Sequence, residues 1–382
     1  MKITIINTLY TPYKIGGAEV SVQILAESLA EKGHQVQVIC LTEKKEAWFD
    51  NINNVDVCYI PLANMYWPYG KKRNPSWKRL LWHLIDQYNP VMAKAVEKQI
   101  KLFKPDVVHT NNLAGFSLSV WDVVKKLNIK LVHTSRDYYL FHPNCTLFTK
   151  GVNVDPDSLP VRLWSWFKKV KSSKVDHFVG ISEFVTDLHK SKGFCKKAKF
   201  DTIYNPVPKS KIEKIPQLGD TLRIGFIGRL SVEKGFDEFC NIANKLRSDV
   251  QNIQFIAAGR FDESKEGNIL RKQALDLGIE LLGFTTLESF LTQVDAVILP
   301  TKWREPFGRT VVECSYHVPV FTNPQGGVKE LMLNIDNVKD ITQIEEIFLS
   351  HKSKEQKLGS YSFNFGSNNC CYSYLKVYSH CG

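Results

Sequence analysis

Several classes of protein are excluded by what this 382-residue sequence lacks. No apolar run approaches the 18 or so residues that a membrane-spanning helix needs. The N-terminal residues 1–8 turn polar too soon for a signal peptide and predict a first buried strand. With 43% hydrophobic and 23% charged residues, the chain is neither disordered nor collagen-like. We therefore expect a cytoplasmic globular protein with two or three domains, at about 150 residues per domain.

The nine cysteines include no C-x-x-C pair, so neither a disulfide framework nor a zinc site is expected. Six of them lie within apolar runs and are expected to pack as small hydrophobic residues: Cys40, Cys58, Cys145, Cys195, Cys240 and Cys314. Cys370, Cys371 and Cys381 lie near the end of the chain without partnered histidines, which favours thiols of a frayed terminus over a metal site. This usage fits a reducing cytoplasm.

Common nucleotide- and nucleic-acid-binding motifs are also missing. Neither half of the chain has G-x-G-x-x-G after its first strand, which disfavours a nicotinamide oxidoreductase, and there is no P-loop. Nothing resembles a helix-turn-helix, a zinc finger or an RRM, so we expect no nucleic-acid partner. Asp155-Pro-Asp157 has the letters of a metal-binding Asp-x-Asp motif, but no helical pattern follows it directly, and a turn is expected there.

Positive charge is concentrated in two windows of a chain whose formal net charge is +11. Residues 61–104 hold nine Lys/Arg against two acids, and residues 160–200 hold ten against three. Both windows are rich in aromatic residues. An anionic membrane, an acidic substrate, nucleic acid or simply a solvated basic face would each explain this pattern.

Short apolar strands alternate with helical patterns along the whole chain, which predicts an α/β fold with parallel sheets. The predicted strands are Ile3–Leu9, Gln35–Leu41, Val57–Leu62, Asp106–Thr110, Lys130–Thr134, His177–Ile181, Phe200–Tyr204, Leu222–Ile227, Ile253–Ala258, Ile279–Gly283, Ala296–Pro300 and Val318–Thr322. A segment rich in proline and charge, Asn205–Asp220, predicts a linker between two doubly wound domains. Ligands of such folds bind beyond the carboxyl ends of the strands, and the cleft between the domains is the expected site.

The strongest local motif is the segment Gly225–Phe236. It reads as a strand ending at Gly228, a loop carrying Arg229 and Lys234, and the start of a helix. Free backbone N–H groups and two cations at such a turn can bind phosphate, although a basic loop of this kind can equally be plain surface.

The second motif follows the strand at Ala296–Pro300. Glu305 lies in the loop, a helix is expected to begin near Gly308, and Glu313 lies within its first turns. Glycine loops at residues 15–19 and 323–330 also follow strands, and each can alternatively be a structural turn.

Taken in this order, the four segments resemble the retaining, nucleotide-sugar-dependent glycosyltransferases of family 4. The resemblance runs from Met1 to about Glu330, with the E-x7-E signature matched by Glu305 and Glu313. The segment His133–Pro143 is similar to the branch that makes bacterial surface polysaccharides such as O-antigen and capsule.

The resemblance implies a GT-B fold, in which two Rossmann-like domains face each other across a cleft. Residues 1–205 would form the acceptor-binding domain, residues 206–360 the nucleotide-sugar-binding domain, and residues 361–382 a last helix that returns to the first domain. It also implies transfer with retained anomeric configuration, without a protein nucleophile, a metal or a cofactor. A UDP-sugar is favoured as donor, and a GDP-sugar is the alternative.

Roles for individual residues also follow from the resemblance. Arg229 and Lys234 would stabilise the departing diphosphate, and Glu305 would contact the donor sugar, so these three are expected to be catalytic. The expected donor-binding residues are Gly16, Gly17, Gly228, Arg229, Lys234, Glu305, Phe307, Gly308, Arg309 and Glu313. The expected acceptor-binding residues are His109, Asn111, His133, Arg136 and Asp137.

At one position the sequence departs from the family pattern, because Asn111 stands where several members have a histidine. Asparagine can orient a hydroxyl but cannot act as a base near neutral pH. His109 and His133 lie nearby, yet an isolated histidine of this kind can equally be a hydrogen-bonded core residue. A catalytically silent homologue, binding a nucleotide-sugar or a membrane, would be expected to lose Glu305 or the Arg229/Lys234 pair, and all three are present.

With a glycosyltransferase expected, the basic aromatic windows suggest a lipid-linked acceptor. The segments Trp77–Trp82 and Val161–Lys169 would lie at an anionic lipid surface, with their aromatic side chains buried and their cations at the headgroups. This predicts a peripheral protein on the inner face of the plasma membrane.

Overall fold

The computed structural model describes residues 1–13, 16–70, 74–209, 212, 221–249, 252–344 and 363–380. The chain forms two compact units. The first consists of Met1–Leu147, Asp155–Pro206 and Phe365–Gly382, and the second of Phe148–Val154 and Val207–Asn364. The chain thus enters the second unit early, for one short excursion, before it forms the rest of that unit.

The described residues contain sixteen strands and twelve α-helices. The strands are β1 (Lys2–Ile6), β2 (Gln35–Thr42), β3 (Trp48–Ile52), β4 (Val55–Pro61), β5 (Val107–Thr110), β6 (Lys130–Ser135), β7 (Phe148–Thr149), β8 (Val152–Asn153), β9 (His177–Gly180), β10 (Lys199–Thr202), β11 (Leu222–Ile227), β12 (Ile253–Ala258), β13 (Glu280–Gly283), β14 (Ala296–Leu299), β15 (Val320–Thr322) and β16 (Val338–Asp340). The helices are α1 (Gly17–Glu31), α2 (Ser76–Gln87), α3 (Pro90–Phe103), α4 (Ser119–Lys126), α5 (Leu159–Ser172), α6 (Glu183–Ser191), α7 (Phe236–Asp249), α8 (Lys265–Asp276), α9 (Leu287–Leu291), α10 (Arg309–Ser315), α11 (Val328–Asn334) and α12 (Ser367–His380).

The first unit is built on an eight-stranded sheet in the order β10-β9-β6-β5-β1-β2-β4-β3. All of its pairs are parallel except β3, which runs antiparallel to β4 at the edge. The central strands are buried, which is why they appear in the sequence as continuous apolar runs. The order reverses direction between β1 and β5, so the loops that follow these strands diverge and leave room for a ligand at the carboxyl edge.

The second unit contains a six-stranded, fully parallel sheet in the order β13-β12-β11-β14-β15-β16. The predicted α/β class with doubly wound parallel sheets is therefore confirmed. Strands β11, β14 and β15 are neighbours, so the loops at their carboxyl ends share one edge of the sheet. Those three loops carry the motifs that were predicted from the sequence for the second domain.

The last helix, α12, packs on α1 in the first unit, and its cysteines correct one prediction. Cys370 and Cys371 were expected to be thiols of a frayed terminus, but both are buried in the core together with Tyr374 and Tyr378. They pack there as small apolar residues. Residues 361, 362, 381 and 382, and most of the predicted linker (210, 211 and 213–220), lie outside the described residues.

Two residues that were expected at a lipid surface are instead buried. Trp82 on α2 is 3% exposed, and its indole N–H donates to the carbonyl of Tyr66 (3.0 Å). Lys168 on α5 is 2% exposed, and its amine donates to the carbonyl of Tyr139 (2.7 Å). Both side chains point to the inner face of their helix, so neither can reach a headgroup.

Candidate active site

In the second unit, the loop after β11 packs directly on the loop after β14. Gly235 has φ +78°, and a Cβ there would lie 1.8 Å from the carbonyl oxygen of Pro300, so the contact requires glycine. The backbone N–H of Lys302 donates to the carbonyl of Glu233 (3.0 Å) across the same contact. These two constraints fix the position of Lys234, which lies between Glu233 and Gly235.

The glycine loop after β15 closes on the same region. The N–H of Gly327 donates to the carbonyl of Glu305 (2.8 Å), and the amide of Asn323 donates to the carbonyl of Thr301 (3.2 Å). Gly326 has φ +63°, and a Cβ there would lie 2.4 Å from the same Glu305 carbonyl. The three predicted motifs of this unit therefore form one site at the carboxyl edge of its sheet.

At the centre of this site, Lys234 and Glu305 form an ion pair. The Lys234 amine lies 2.9 and 2.8 Å from the two carboxylate oxygens of Glu305, and both side chains are largely buried. The indole N–H of Trp303 donates to Glu305 Oε2 (3.2 Å), and the Lys234 amine lies 5.1 Å from the Trp303 ring centroid. Each partner of the pair also contacts the same buried tryptophan, which helps to position both side chains.

Lys234 and Glu305 line a cavity that opens at this edge. Its other lining residues are Phe226, Ile227, Gly228, Leu299, Thr301, Gly308, Thr310 and Val311. Two of the predicted donor-binding glycines, Gly228 and Gly308, therefore lie at the cavity, and both have positive φ. Phe307, also predicted to contact the donor, is 2% exposed.

Arg229 does not line this cavity. Its guanidinium pairs with Glu233, four residues later in the loop, and its side chain is 64% exposed. The structure therefore brings Lys234 and Glu305 together, but the exposed Arg229 is not among the residues that line the cavity. Its predicted contact with a donor diphosphate would require the Arg229–Glu233 pair to open.

The second glutamate of the E-x7-E signature lies on α10 and is paired within its own helix. Arg309 Nε donates to Glu313 Oε1 (2.8 Å). Burial raises the pKa of Glu313, and the neighbouring Arg309 opposes that shift only in part. Glu313 is therefore largely buried and paired with Arg309 on its own helix.

In the first unit, the residues after β5, β6 and β10 meet through a buried arginine. Arg136 Nε donates to Asn111 Oδ1 (2.8 Å), and its terminal nitrogen donates to Asn205 Oδ1. Among the described residues, the Nδ2 of Asn111 has no hydrogen-bond partner, although the side chain is buried. A buried amide donor without a partner costs free energy, and a hydrogen bond to a bound oxygen would remove that cost.

Asp137 lies directly after Arg136 in the same region. Its carboxylate accepts from the N–H of Tyr139 (2.7 Å), and burial raises its pKa to about 6 despite this bond and the charge of Lys168. Glu19 on α1 lies close enough to raise the pKa of Asp137 further, and it accepts from the N–H of Gly16 (2.9 Å). The start of α1, with Gly16 and Glu19, therefore lies near Asp137 at this edge.

The two predicted acceptor-binding histidines do not belong to this site. His109 is fully buried, and its ring nitrogens bond to the hydroxyls of Tyr378 and Thr134 at 2.7 Å each. His133 is also buried, with Nδ1 bonded to the Thr110 hydroxyl (3.0 Å) and its pKa lowered to about 3 by burial. Both predictions are wrong, because these side chains are buried between the sheet and the helices that cover it.

Asp155-Pro-Asp157 forms a turn, as expected, but the expectation that no helix follows it directly is wrong, because α5 begins at Leu159 and accommodates Pro160 in its first turn. The N–H and hydroxyl of Ser158 both donate to the carbonyl of Asp155 (3.1 and 2.7 Å), and the Asp157 carboxylate pairs with Lys192 (2.6 Å). Across the described ranges, no group of three or more His, Cys, Asp or Glu side chains is arranged to hold a metal ion.

Comparison with protein families assigns the chain. The family described as "Glycosyltransferase Family 4" matches residues 15–211, more than half of the chain. The family described as "Glycosyl transferases group 1" matches residues 209–347. The chain belongs to glycosyltransferase family 4.

Individual relatives agree with this assignment. A protein of Klebsiella pneumoniae, described as an uncharacterized 42.6 kDa protein in the cps region, is 47% identical over 349 residues, covering 91% of each chain. Among solved structures, sucrose-phosphate synthase of Thermosynechococcus elongatus has a TM-score of 0.70 at 15% identity, covering 99% of this chain and 98% of that one. The lipopolysaccharide outer core galactosyltransferase WaaB has a TM-score of 0.59 at 14% identity, covering 98% and 100%. These solved structures establish the shared fold of this glycosyltransferase.

Sequence reasoning missed a residue that holds the loop bearing Glu305 in this glycosyltransferase. Asn153 lies on β8, in the excursion that belongs to the second unit. Its amide donates to the carbonyl of Lys302 (2.8 Å) and to Gln325 Oε1 (3.1 Å), and its Oδ1 accepts from the N–H of Arg304 (3.0 Å). Nothing in the sequence indicates this role, because Asn153 precedes its partners by about 150 residues.

Asn153→Ala is expected to lower both stability and turnover. It leaves the Arg304 N–H and the Lys302 carbonyl without their partner, which costs about 1–3 kcal/mol and should lower the midpoint of thermal unfolding by a few degrees. Because the loop also carries Glu305, kcat should fall severalfold at a temperature where the variant is still folded. Val152→Ala, an exposed change in the same hairpin, is the control. Equal behaviour of the two variants would show that Asn153 does not position the loop.

Proposed function

We propose that this family 4 enzyme transfers a sugar, with retention of configuration and without a metal, from a nucleotide-diphosphate donor to a lipid-linked glycan. The observation that carries the proposal is the Lys234–Glu305 pair, which lines a cavity where the loops after three neighbouring parallel strands meet. The relative from the cps region of Klebsiella supports a role in surface polysaccharide synthesis, capsule in particular.

Transfer of this kind creates charge at two points, and the site holds a group suited to each. The departing nucleotide diphosphate gains negative charge, which Lys234 would stabilise. The sugar carbon that loses it gains positive charge, which the Glu305 carboxylate would stabilise. The acceptor hydroxyl would then attack from the face that the diphosphate leaves and give its proton to the departing diphosphate oxygen, so no protein nucleophile is required. Charged groups that are already in place stabilise the transition state without the cost of reorganising solvent around it.

Donor binding would also change the partners of nearby residues. The diphosphate would compete with Glu233 for Arg229 and with Glu305 for Lys234, so both cations could turn to phosphate oxygens. Glu313 would form a hydrogen bond with a ribose hydroxyl, as acceptor when its carboxyl group is ionised and as donor when it is protonated. We favour a UDP-sugar over a GDP-sugar as the donor.

For the acceptor, we propose the first unit. The Asn111 amide, without a partner among the described residues, would donate to an acceptor oxygen, while Arg136 fixes the orientation of that side chain. Asp137 would accept from an acceptor hydroxyl. The Gly16–Gly17 backbone at the start of α1 would contribute to phosphate binding from this unit.

Thermal unfolding with UDP, GDP and ADP, and with their sugar conjugates, tests the donor. A ligand at 100 times its dissociation constant stabilises the protein by about 2.7 kcal/mol, which should raise the midpoint by a few degrees. A shift with UDP and not with GDP or ADP is expected. If no nucleotide shifts the midpoint and no sugar is transferred, the chain is a catalytically silent member of the family.

Metal independence is tested with the same preparation. EDTA should leave the rate of sugar transfer unchanged, because Lys234 and Arg229 would supply the positive charge that a divalent cation supplies in other transferases. Loss of activity with EDTA, restored by Mn²⁺ or Mg²⁺, would contradict the proposal. NMR of the product's anomeric centre reports directly whether the donor configuration is retained.

A further inference from the structure

The exposed face of α2 is more apolar than its buried face. Five large apolar side chains spaced three or four residues apart form its outer stripe, and each is between 37% and 58% exposed: Trp77, Leu80, Leu81, Leu84 and Ile85. On the opposite side, the Asp86 carboxylate is buried and accepts from the N–H of Gly115 (2.6 Å). A helix whose outer face contacts water normally has polar side chains on that face and apolar ones on its buried face. The apolar outer stripe of α2 therefore indicates an apolar partner.

A second stripe of the same kind runs along α5. Leu159, Leu163, Trp166 and Val170 are spaced four, three and four residues apart, and each is more than half exposed. The helices are neighbours, since the Gln87 amide donates to the carbonyl of Trp164 (3.3 Å) and the Tyr88 ring packs edge-on against Phe167. The two stripes, Trp77–Ile85 on α2 and Leu159–Val170 on α5, are called the α2–α5 face below.

A basic pocket lies beside the α5 stripe. Arg162 and Lys169, two turns apart on the same helix, line it together with Lys192, and Asp157 is the one acid among its lining residues. Burial and the charges of Lys196 and Arg162 lower the pKa of Lys169, as expected where positive charge is in excess. The pocket therefore suits an anion such as a phosphate group.

We propose that the α2–α5 face docks on a bilayer containing anionic lipid. The apolar side chains would enter the boundary between headgroups and acyl chains, and Arg162 and Lys169 would bind a lipid phosphate. Apolar anchors beside cations, with tryptophan at the boundary, are the composition that such an interface selects. No helix within the described ranges is long and apolar enough to cross a membrane, so attachment of these residues would be interfacial.

Charge favours this partner over a second copy of the chain. Both segments lie in windows with a large excess of Lys and Arg, so two copies meeting on this face would bring like charges together. An anionic surface is instead attracted, by about 1 kcal/mol for each Lys or Arg near it. The docking proposal rests on the proposed function in one respect only: docking would give the enzyme access to a lipid-linked acceptor.

Sedimentation with vesicles of phosphatidylcholine, with and without phosphatidylglycerol, tests the apolar stripe. The wild type should bind the anionic vesicles in preference to the neutral ones. The variant Trp77→Ser/Leu84→Ser/Leu163→Ser/Trp166→Ser should lose at least about tenfold in partition coefficient. Leu275→Ser/Leu333→Ser, which removes exposed leucines from the second unit, is the matched control and should bind as the wild type does.

The basic pocket is tested separately by Arg162→Gln/Lys169→Gln. Loss of two cations should lower the partition coefficient about thirtyfold on anionic vesicles and have little effect on neutral ones. Arg271→Gln/Lys272→Gln on α8 controls for net charge. Equal loss in both pairs would show that overall charge, and not this pocket, binds the lipid.

Two further outcomes would contradict docking of the apolar stripes on a bilayer. One is binding of the wild type and the apolar variant to the same extent. The other is a dimer in sedimentation velocity that the apolar variant abolishes, without vesicle binding, which would make the face an interface between copies. Vesicle binding needs no nucleotide, and the variants should keep the midpoint shift caused by UDP, so failure here is distinct from failure of the proposed donor site.

Discussion

Lys234→Ala is expected to lower turnover at least about a hundredfold while leaving the fold intact. The amine is the cation that lines the cavity of the second unit, and it is fixed by Glu305 and by the Trp303 ring. Alanine removes the charge that would stabilise a departing diphosphate. Its effect should appear mainly in kcat, because the negative charge on the diphosphate is greater in the transition state than in the bound donor.

Lys302→Ala is the matched control for this prediction. Lys302 lies in the neighbouring loop and forms a comparable, largely buried ion pair with Asp237, but it does not line the cavity. We expect a severalfold loss of activity at most. If Lys234→Ala kept near wild-type turnover, or if the two variants lost activity equally, the phosphate-binding role of Lys234 would be wrong.

Glu305→Gln should reduce turnover by about a hundredfold as well. Glutamine keeps the size of the side chain and can still accept a hydrogen bond from the Lys234 amine. It cannot stabilise the positive charge that develops on the sugar as the diphosphate leaves. Stability should change little, because the side chain remains packed against Trp303.

The double variant shows whether the two residues act together. If Lys234 and Glu305 serve one transition state, Lys234→Ala/Glu305→Gln should be little worse than either single variant. Asp237→Asn, in the neighbouring ion pair, is the control for loss of a carboxylate. Full activity of Glu305→Gln would remove the catalytic role that the E-x7-E signature implies for Glu305.

The main sheets could be predicted from the sequence because their strands are buried on both faces. Buried parallel strands appear as apolar runs, and all twelve predicted strands occur at nearly the predicted bounds. The strands that were missed lack that pattern. Strand β3 is largely exposed at a sheet edge, β7 and β8 have two residues each, and β16 has three.

The loops of the candidate active site in the second unit were also predictable, since neighbouring parallel strands bring their carboxyl ends together whatever the side chains are. Side-chain pairing was not. Arg229 turns to Glu233, and His109 bonds to Tyr378 on a helix near the end of the chain. The His109 contact joins residues far apart in the sequence, which no local pattern records. Arg229 and Glu233 are close in the sequence, but their spacing alone did not show that they would pair with each other.

The buried cysteines and Lys168 also show that a local sequence pattern does not predict which side chains are buried. Position near the end of the chain made Cys370 and Cys371 appear frayed, yet α12 needs an apolar face to pack on α1. Lys168 lies within a basic segment but on the inner side of α5, where it donates to the carbonyl of Tyr139. Helical periodicity predicts which residues share a face, but the fold decides which face is covered.

The excursion Phe148–Val154 has a consequence for exchanging parts between related enzymes. A chimera joined at a single point near Pro206 would take this hairpin from one parent and its partners Lys302, Arg304 and Gln325 from the other. Asn153 would then meet a loop with which it had not evolved. A functional exchange of the second unit should therefore need two grafted pieces, in which the seven-residue hairpin is transferred together with the second half of the chain.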